Sequence, residues 1–328
     1  MSKLTSKKKV AGDSTPKSKA KEAKEAVYMN PLTDFGFKKL FSDVEVLPPF
    51  LNATIWPDSP IVKVELRPTE QLGDWESERR AVVDLLCTNE RGEFFLVEMQ
   101  YAPQKHFAER LLFYSSFLVR NQAPKGKKWN YELKAVYVLS LLNFRLDIAG
   151  LDEQQVISRV CLMEERVHVK FSDKLRFITI ELPKFQKKAN ELETNIDHWL
   201  YYLKNMNRLK EAPATAKESS VFQRLFDVAQ INKLTPKEME AYHKSVLEYD
   251  DIVEALDYER ERYQAIGEKQ GEKRGKKQGI AIGEKRGAKK VYTELVFSFS
   301  KTGFPPEEIA RFTKLSVKRV QTILQSKK

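Results

Sequence analysis

Apolar and polar positions alternate with the period of a β-strand along Ile61–Arg67 (IVKVELR), and this stretch is read as the first strand of a sheet. Two further apolar runs follow, Ala81–Cys87 and Phe94–Met99. They are joined by Thr88-Asn89-Glu90-Arg91-Gly92, in which Gly92 can adopt the positive φ of a hairpin turn. Gln104–Gln122 changes period: Phe107, Leu111, Tyr114, Phe117 and Leu118 recur at helical spacing. Lys134–Phe144 (KAVYVLSLLNF) is almost continuously apolar and β-branched, which suits an interior strand covered on both faces. Arg159–Leu182 supplies a further pair of strands extending the sheet.

Before these, Thr33 or Asp34 can cap a helix running to about Phe41, whereas residues 44–60 hold Pro48, Pro49, Pro57 and Pro60, too many for a regular element. From Phe185 onward the pattern is helical. Leu192, Ile196, Trp199, Leu200 and Leu203 line one stripe, and Val221–Ala229 and Pro236–Leu256 follow in kind. Six glycines, Gly267, Gly271, Gly275, Gly279, Gly283 and Gly287, then recur every fourth residue. Each costs a helix about 1 kcal/mol against alanine, so this segment reads either as a pairing helix or as a frayed helix or linker. Gly303–Gln325 carries helix starts at Pro305-Pro306-Glu307-Glu308 and at Ser316. It reads as two short helices about a turn, serving either as a helix-turn-helix with Lys318 and Arg319 towards DNA or as a hairpin for packing or dimer contact. The expected organisation is a basic, disordered tail over 1–26, an α/β core over 27–185, a helical subdomain over 186–258, the glycine repeat over 259–290 and the hairpin over 291–328.

Each apolar run of the hairpin contains one carboxylate, Asp84 in the first and Glu98 in the second. A carboxylate within a Val/Leu/Phe strand is costly unless its charge is compensated. Two of them on neighbouring strands point to a divalent cation. Gln100, two residues after Glu98, falls on the same face of its strand. Salt-bridge acids paired with Arg79 and Arg80 are the alternative.

Asp84, a thirteen-residue spacer and Glu98-Met99-Gln100 resemble the D…(D/E)xK centre of the PD-(D/E)XK nucleases. The Glu-x-Gln form is similar to the recombination-promoting nuclease and transposase branch, the Rpn family. Two further blocks agree: Asn30–Phe41 (NPLTDFGFKKLF) resembles that branch's opening helix, and Val97–Gln100 with Phe107, Arg110 and Tyr114-Ser115-Ser116 resembles its strand and following helix. The resemblance implies a restriction-endonuclease-like core, a mixed sheet flanked by helices, followed by an all-α C-terminal region. It also implies a Mg²⁺-dependent DNA endonuclease (Mn²⁺ being the substitute ion), with Asp84, Glu98 and the Met99 carbonyl on the metal and Gln100 in the place of the usual lysine. Asp34, Arg110 and Tyr114 are supporting candidates. Because Gln100 brings no charge, Lys63, Lys105 and Arg110 are candidates to supply it. The rival expectation is a weak or inactive nuclease scaffold acting as a DNA-binding or oligomerising protein, with homo-oligomers formed through the C-terminal helices.

Composition narrows this further. The 328 residues are 41% hydrophobic and 31% charged, as in a soluble globular protein with charged appendages. No apolar run approaches the ~18–20 residues of a membrane span. An apolar leader is absent, and two cysteines, Cys87 and Cys161, form no framework, so a cytoplasmic protein is expected. The net charge of +11 favours a polyanionic partner. Part of that excess lies in the eight lysines of residues 1–26, which read either as a phosphate-touching arm or as a solubilising tail.

Overall fold

A computed structural model describes residues 26–68, 83–124, 129–146, 148 and 150–326. Residues 1–25 of the expected tail over 1–26, the candidate salt-bridge partners Arg79 and Arg80, and the run's first residues Ala81 and Val82 lie outside the described residues. The chain divides into two compact units, Met1–Glu254 and Ala255–Lys328.

The first unit opens with α1 (Asp34–Phe41) and α2 (Leu47–Ile55), then β1 (Val64–Arg67), β2 (Leu85–Asn89) and β3 (Phe94–Gln100). A helix α3 (Phe107–Arg120) crosses to β4 (Val136–Leu142), and β5 (Ile157–Met163) and β6 (Lys170–Glu181) complete the sheet. Strand order is β1-β2-β3-β4-β6-β5. The β1/β2, β2/β3 and β5/β6 pairs are antiparallel, while β3/β4 and β4/β6 are parallel. The parallel β3–β4 pair requires a crossover, which α3 supplies. Helices α4 (Asn195–Asn205), α5 (Ala214–Lys217), α6 (Ser220–Val228) and the start of α7 (Pro236–Lys301) follow. The fold is thus a mixed α/β core with flanking helices, continued by an all-α C-terminal part, as the sequence leads one to expect.

The central strands β2, β3 and β4 are buried on both faces. One face packs Val97, Met99, Leu139 and Ile180 against α1, α2, α4 and α6, where the rings of Phe41, Phe50, Trp199 and Phe222 meet tilted or edge to face at 4.5–5.2 Å. The other packs Leu96, Val136, Val138 and Leu142 against Phe107, Leu111, Phe117 and Leu118 of α3. Strand alternation therefore turns Glu98 and Gln100 toward α3, along with Leu96.

Three expectations are corrected. Residues 44–60 do contain a helix, because Pro48 and Pro49 stand in its first turn, where missing N–H groups cost no intrahelical bond. Asp84 does not sit within a strand: β2 begins at Leu85, and Asp84 occupies the bend before it. The glycine repeat is not a linker but lies within continuous α7, solvent-exposed, its glycines interleaved with strong helix formers. Of the two candidate caps for α1, Thr33 is the one used, its Oγ1 accepting from Gly36 N at 3.0 Å.

The second unit consists of the remainder of α7 with α8 (Pro306–Thr313) and α9 (Val317–Gln325). Val296, Ile309, Ala310 and Val320 form its small core. No helix among the described residues is long and apolar enough to cross a membrane.

Candidate active site

The β2/β3 register runs Leu85↔Val97, so Asp84 falls one step further, beside Glu98. There its Oδ2 accepts the Met99 N–H at 2.8 Å. A backbone donor on β3 has captured the carboxylate of the residue that leads into β2, which ties the two acids together. Glu98 is 1% exposed. Its Oε2 accepts from Arg110 Nη2 at 3.2 Å and from Gln100 Nε2 at 3.4 Å. Helix α3 delivers Arg110 one turn in from its start, on the face turned to the sheet, and Tyr114 lies one turn on with its ring 5.2 Å from the guanidinium. Arg110 also donates to Gln104 Oε1, while its buried Nε has no hydrogen-bond partner among the described residues.

Electrostatics show how exposed this arrangement is to uncompensated charge. Burial, and then the neighbouring Asp84 charge, push the Glu98 carboxyl up to about 7 despite the Arg110 guanidinium. Asp84 is raised as well, chiefly by burial and against the pull of the Met99 N–H, with Lys38 lowering and Asp34 raising it. Two hard-oxygen carboxylates, both held above their ordinary range chiefly by burial, form a donor set that a divalent cation fits. Among the described residues there is no group of three or more His, Cys, Asp or Glu side chains close enough to hold a metal.

The structure therefore brings Asp84, Glu98, Gln100 and Arg110 together, with Tyr114 beneath Arg110. Asp34 stands at the first position of α1, 57% exposed and paired with Lys38 at 2.8 Å; it reaches Asp84 through its field rather than by contact. Of the three cations considered to offset Gln100, only Arg110 touches an acid of the site. Lys63 lies before β1, its N–H directed to Glu90 in the β2–β3 turn, and Lys105 is exposed and makes no ion pair among the described residues. Lys318 and Arg319 belong to the second unit.

Three residues went unread in the sequence. Lys38 lends Asp84 a positive field; its place four residues after Asp34 was the available signal. Tyr101, directly after β3, has a buried hydroxyl with no hydrogen-bond partner among the described residues, and burial plus the Tyr249, Asp34 and Asp84 charges raise its pKa. Ser140 on β4 pairs in register with Glu98, and its buried Oγ likewise has no hydrogen-bond partner among the described residues. Ser140 begins a buried polar row that continues in register through Thr179 and Ser158.

The order of helix, three strands, helix and strand, with an acid at the entry to one central strand and Glu-x-Gln on the next, defines a nuclease-type core. The chain belongs to the PD-(D/E)XK nuclease family transposases, whose family model matches residues 31–259. Nucleases of this fold generally use divalent metal ions and act on DNA. Searches of curated proteins and of solved structures found no match.

Proposed function

We propose that this chain is a Mg²⁺-dependent DNA endonuclease of the recombination-promoting type, with Mn²⁺ as a substitute ion. The observation that carries the reading is the adjacency of half-buried Asp84 and buried Glu98, which share one environment with Gln100 and Arg110. Asp84, Glu98 and the Met99 carbonyl are the groups to hold the ion. A divalent cation bound there supplies charge to polarise a phosphoryl oxygen and lowers the pKa of a water.

The remaining roles fall to the chain itself. Gln100 offers an amide that can both donate to a phosphate oxygen and accept from a water, orienting them without adding charge. Arg110 donates to Glu98 Oε2, and the same guanidinium can bind a phosphate bidentately. Tyr114 limits the directions that guanidinium can take. The buried surroundings keep these electrostatic interactions strong.

Nicking of supercoiled plasmid by the full chain is the test, with and without added Mg²⁺. Cleavage that requires the ion and is lost in Asp84→Ala and Glu98→Ala, with the far-UV spectrum kept, supports the reading. Unchanged nicking in both variants refutes the residue assignment. A second reading, an inactive scaffold that binds DNA or oligomerises, is favoured by the Arg110–Glu98 pair, in which a cationic group already compensates one acid. Calorimetry with Mg²⁺ and Mn²⁺ separates the two, since an inactive site of that kind takes up no ion at millimolar concentration.

A further inference from the structure

The second unit ends in three helical segments around one small core. The last turns of α7 contribute Val296 and Phe299, α8 contributes Ile309 and Ala310, and α9 contributes Val320, Ile323 and Leu324. Helices α8 and α9 are joined by Lys314-Leu315-Ser316. Lys314 takes the left-handed conformation (φ 54°, ψ 27°) that ends α8, and Ser316 Oγ caps α9 by accepting from Arg319 N at 3.3 Å. Two short helices about a three-residue turn, braced by a third, have the build of a helix-turn-helix.

Charge gives this build a direction. Glu307 and Glu308 sit in the first turn of α8, and after them no acidic residue occurs through Lys328. Arg311, Lys314, Lys318 and Arg319 are all exposed and make no ion pair among the described residues. Val320 alone of α9 is fully inward, leaving Lys318, Arg319, Gln321, Thr322 and Gln325 on its outer side. The cations stand in the first turn, where the helix end adds its own positive field. The amides and hydroxyl follow along the helix axis. Cations and a capped helix start suit phosphates, and Gln and Thr suit base edges.

We propose that α9 is a DNA-reading helix that lies in the major groove of a duplex, with Lys318 and Arg319 on the phosphates, as a binding site separate from Asp84 and Glu98. The preceding stretch of α7 supports the same partner: residues 264–290 carry nine basic side chains against three acidic ones. This inference does not depend on whether the first unit cuts DNA.

Fluorescence anisotropy of the full chain on a labelled duplex, in EDTA so that no cleavage occurs, tests it. The double variant K318E/R319E is expected to weaken binding at least tenfold. It should also lower the slope of log affinity against log salt by about 2, since each phosphate contact contributes ~0.9. The milder K318Q/R319Q variant, which keeps helix-forming residues, should move both quantities in the same direction. The measurement in EDTA does not depend on cleavage, which keeps failure here distinct from failure of the nuclease reading, and Glu211→Gln, at an exposed position of the first unit, should leave both quantities unchanged. Unaltered affinity and slope in the folded double variants would overturn the proposal. A change of mass in solution with DNA binding intact would also overturn it, because α9 would then be a contact between copies.

Discussion

Gly36 offers a test in which the usual helix rule should reverse sign. Replacing a glycine inside a helix by alanine ordinarily gains about 1 kcal/mol. At Gly36 the added Cβ would stand 2.1 Å from the Asn30 carbonyl oxygen and 2.8 Å from Thr33 Oγ1. Ordinary carbon–oxygen contacts lie near ~3.3 Å, so the Asn30 loop and α1 must separate by more than an ångström. That carbonyl accepts from Thr33 Oγ1 at 2.9 Å and from Thr33 N at 3.2 Å. Moving it forfeits two bonds worth about 1 kcal/mol each, and overpacking adds roughly 1–3 kcal/mol. Against the ~1 kcal/mol gained in propensity, Gly36→Ala is expected to destabilise the first unit by about 2–4 kcal/mol. Urea unfolding followed by tryptophan fluorescence reads this, because Trp199 is wholly buried in the same core. A midpoint lowered by about 1 M is expected. The matched control is Gly271→Ala with Gly275→Ala, where nothing lies within 4 Å of the new Cβ atoms and helicity should rise. A Gly36→Ala protein as resistant to urea as the parent would refute the steric argument.

Further outcomes follow from the charged groups. Burial works against the Asp197 charge, but Lys187 Nζ at 2.8 Å and the Thr194 and Glu193 N–H groups outweigh it and hold the carboxyl down at about 2. A depressed acid stabilises above its unfolded pKa and loses that contribution as pH falls through the folded one. Asp197→Asn should therefore cost about 2 kcal/mol at neutral pH, with the difference shrinking between pH 4 and 2 in denaturation curves. Glu98 has the opposite sign: its carboxyl, raised to about 7, costs the metal-free fold stability as pH rises from the unfolded value toward 7. Glu98→Gln should thus unfold at higher urea at pH 8 by about 1–3 kcal/mol and at nearly the same urea at pH 4.5; an equal gain at both values would show that charge is not the cause.

Local chemistry made much of this structure legible in advance. The β2–β3 turn has Gly92 at φ 75°, as its place after Asn89-Glu90-Arg91 implied. Helix α3 follows the Phe107–Leu118 stripe, and Ser316 caps α9 where the sequence placed a start. What could not be read depended on partners distant in the chain. The Met99 N–H that holds Asp84 at the entry to β2 belongs to another strand. Lys38 acts on Asp84 from α1, and Ser140 meets Glu98 only through the parallel β3–β4 pairing. The prolines of α2 misled because their effect depends on position within a turn, which composition does not carry.

The spacing of the α7 glycines has a geometric consequence. At 3.6 residues per turn, a step of four advances about 40° around the axis, so the six residues wind across roughly half the circumference instead of lining up. No one side of this rod is smoothed for a neighbour to lie against. The weak points are instead spread evenly along and around it, where backbone amides should trade hydrogen for deuterium sooner than those of the sheet.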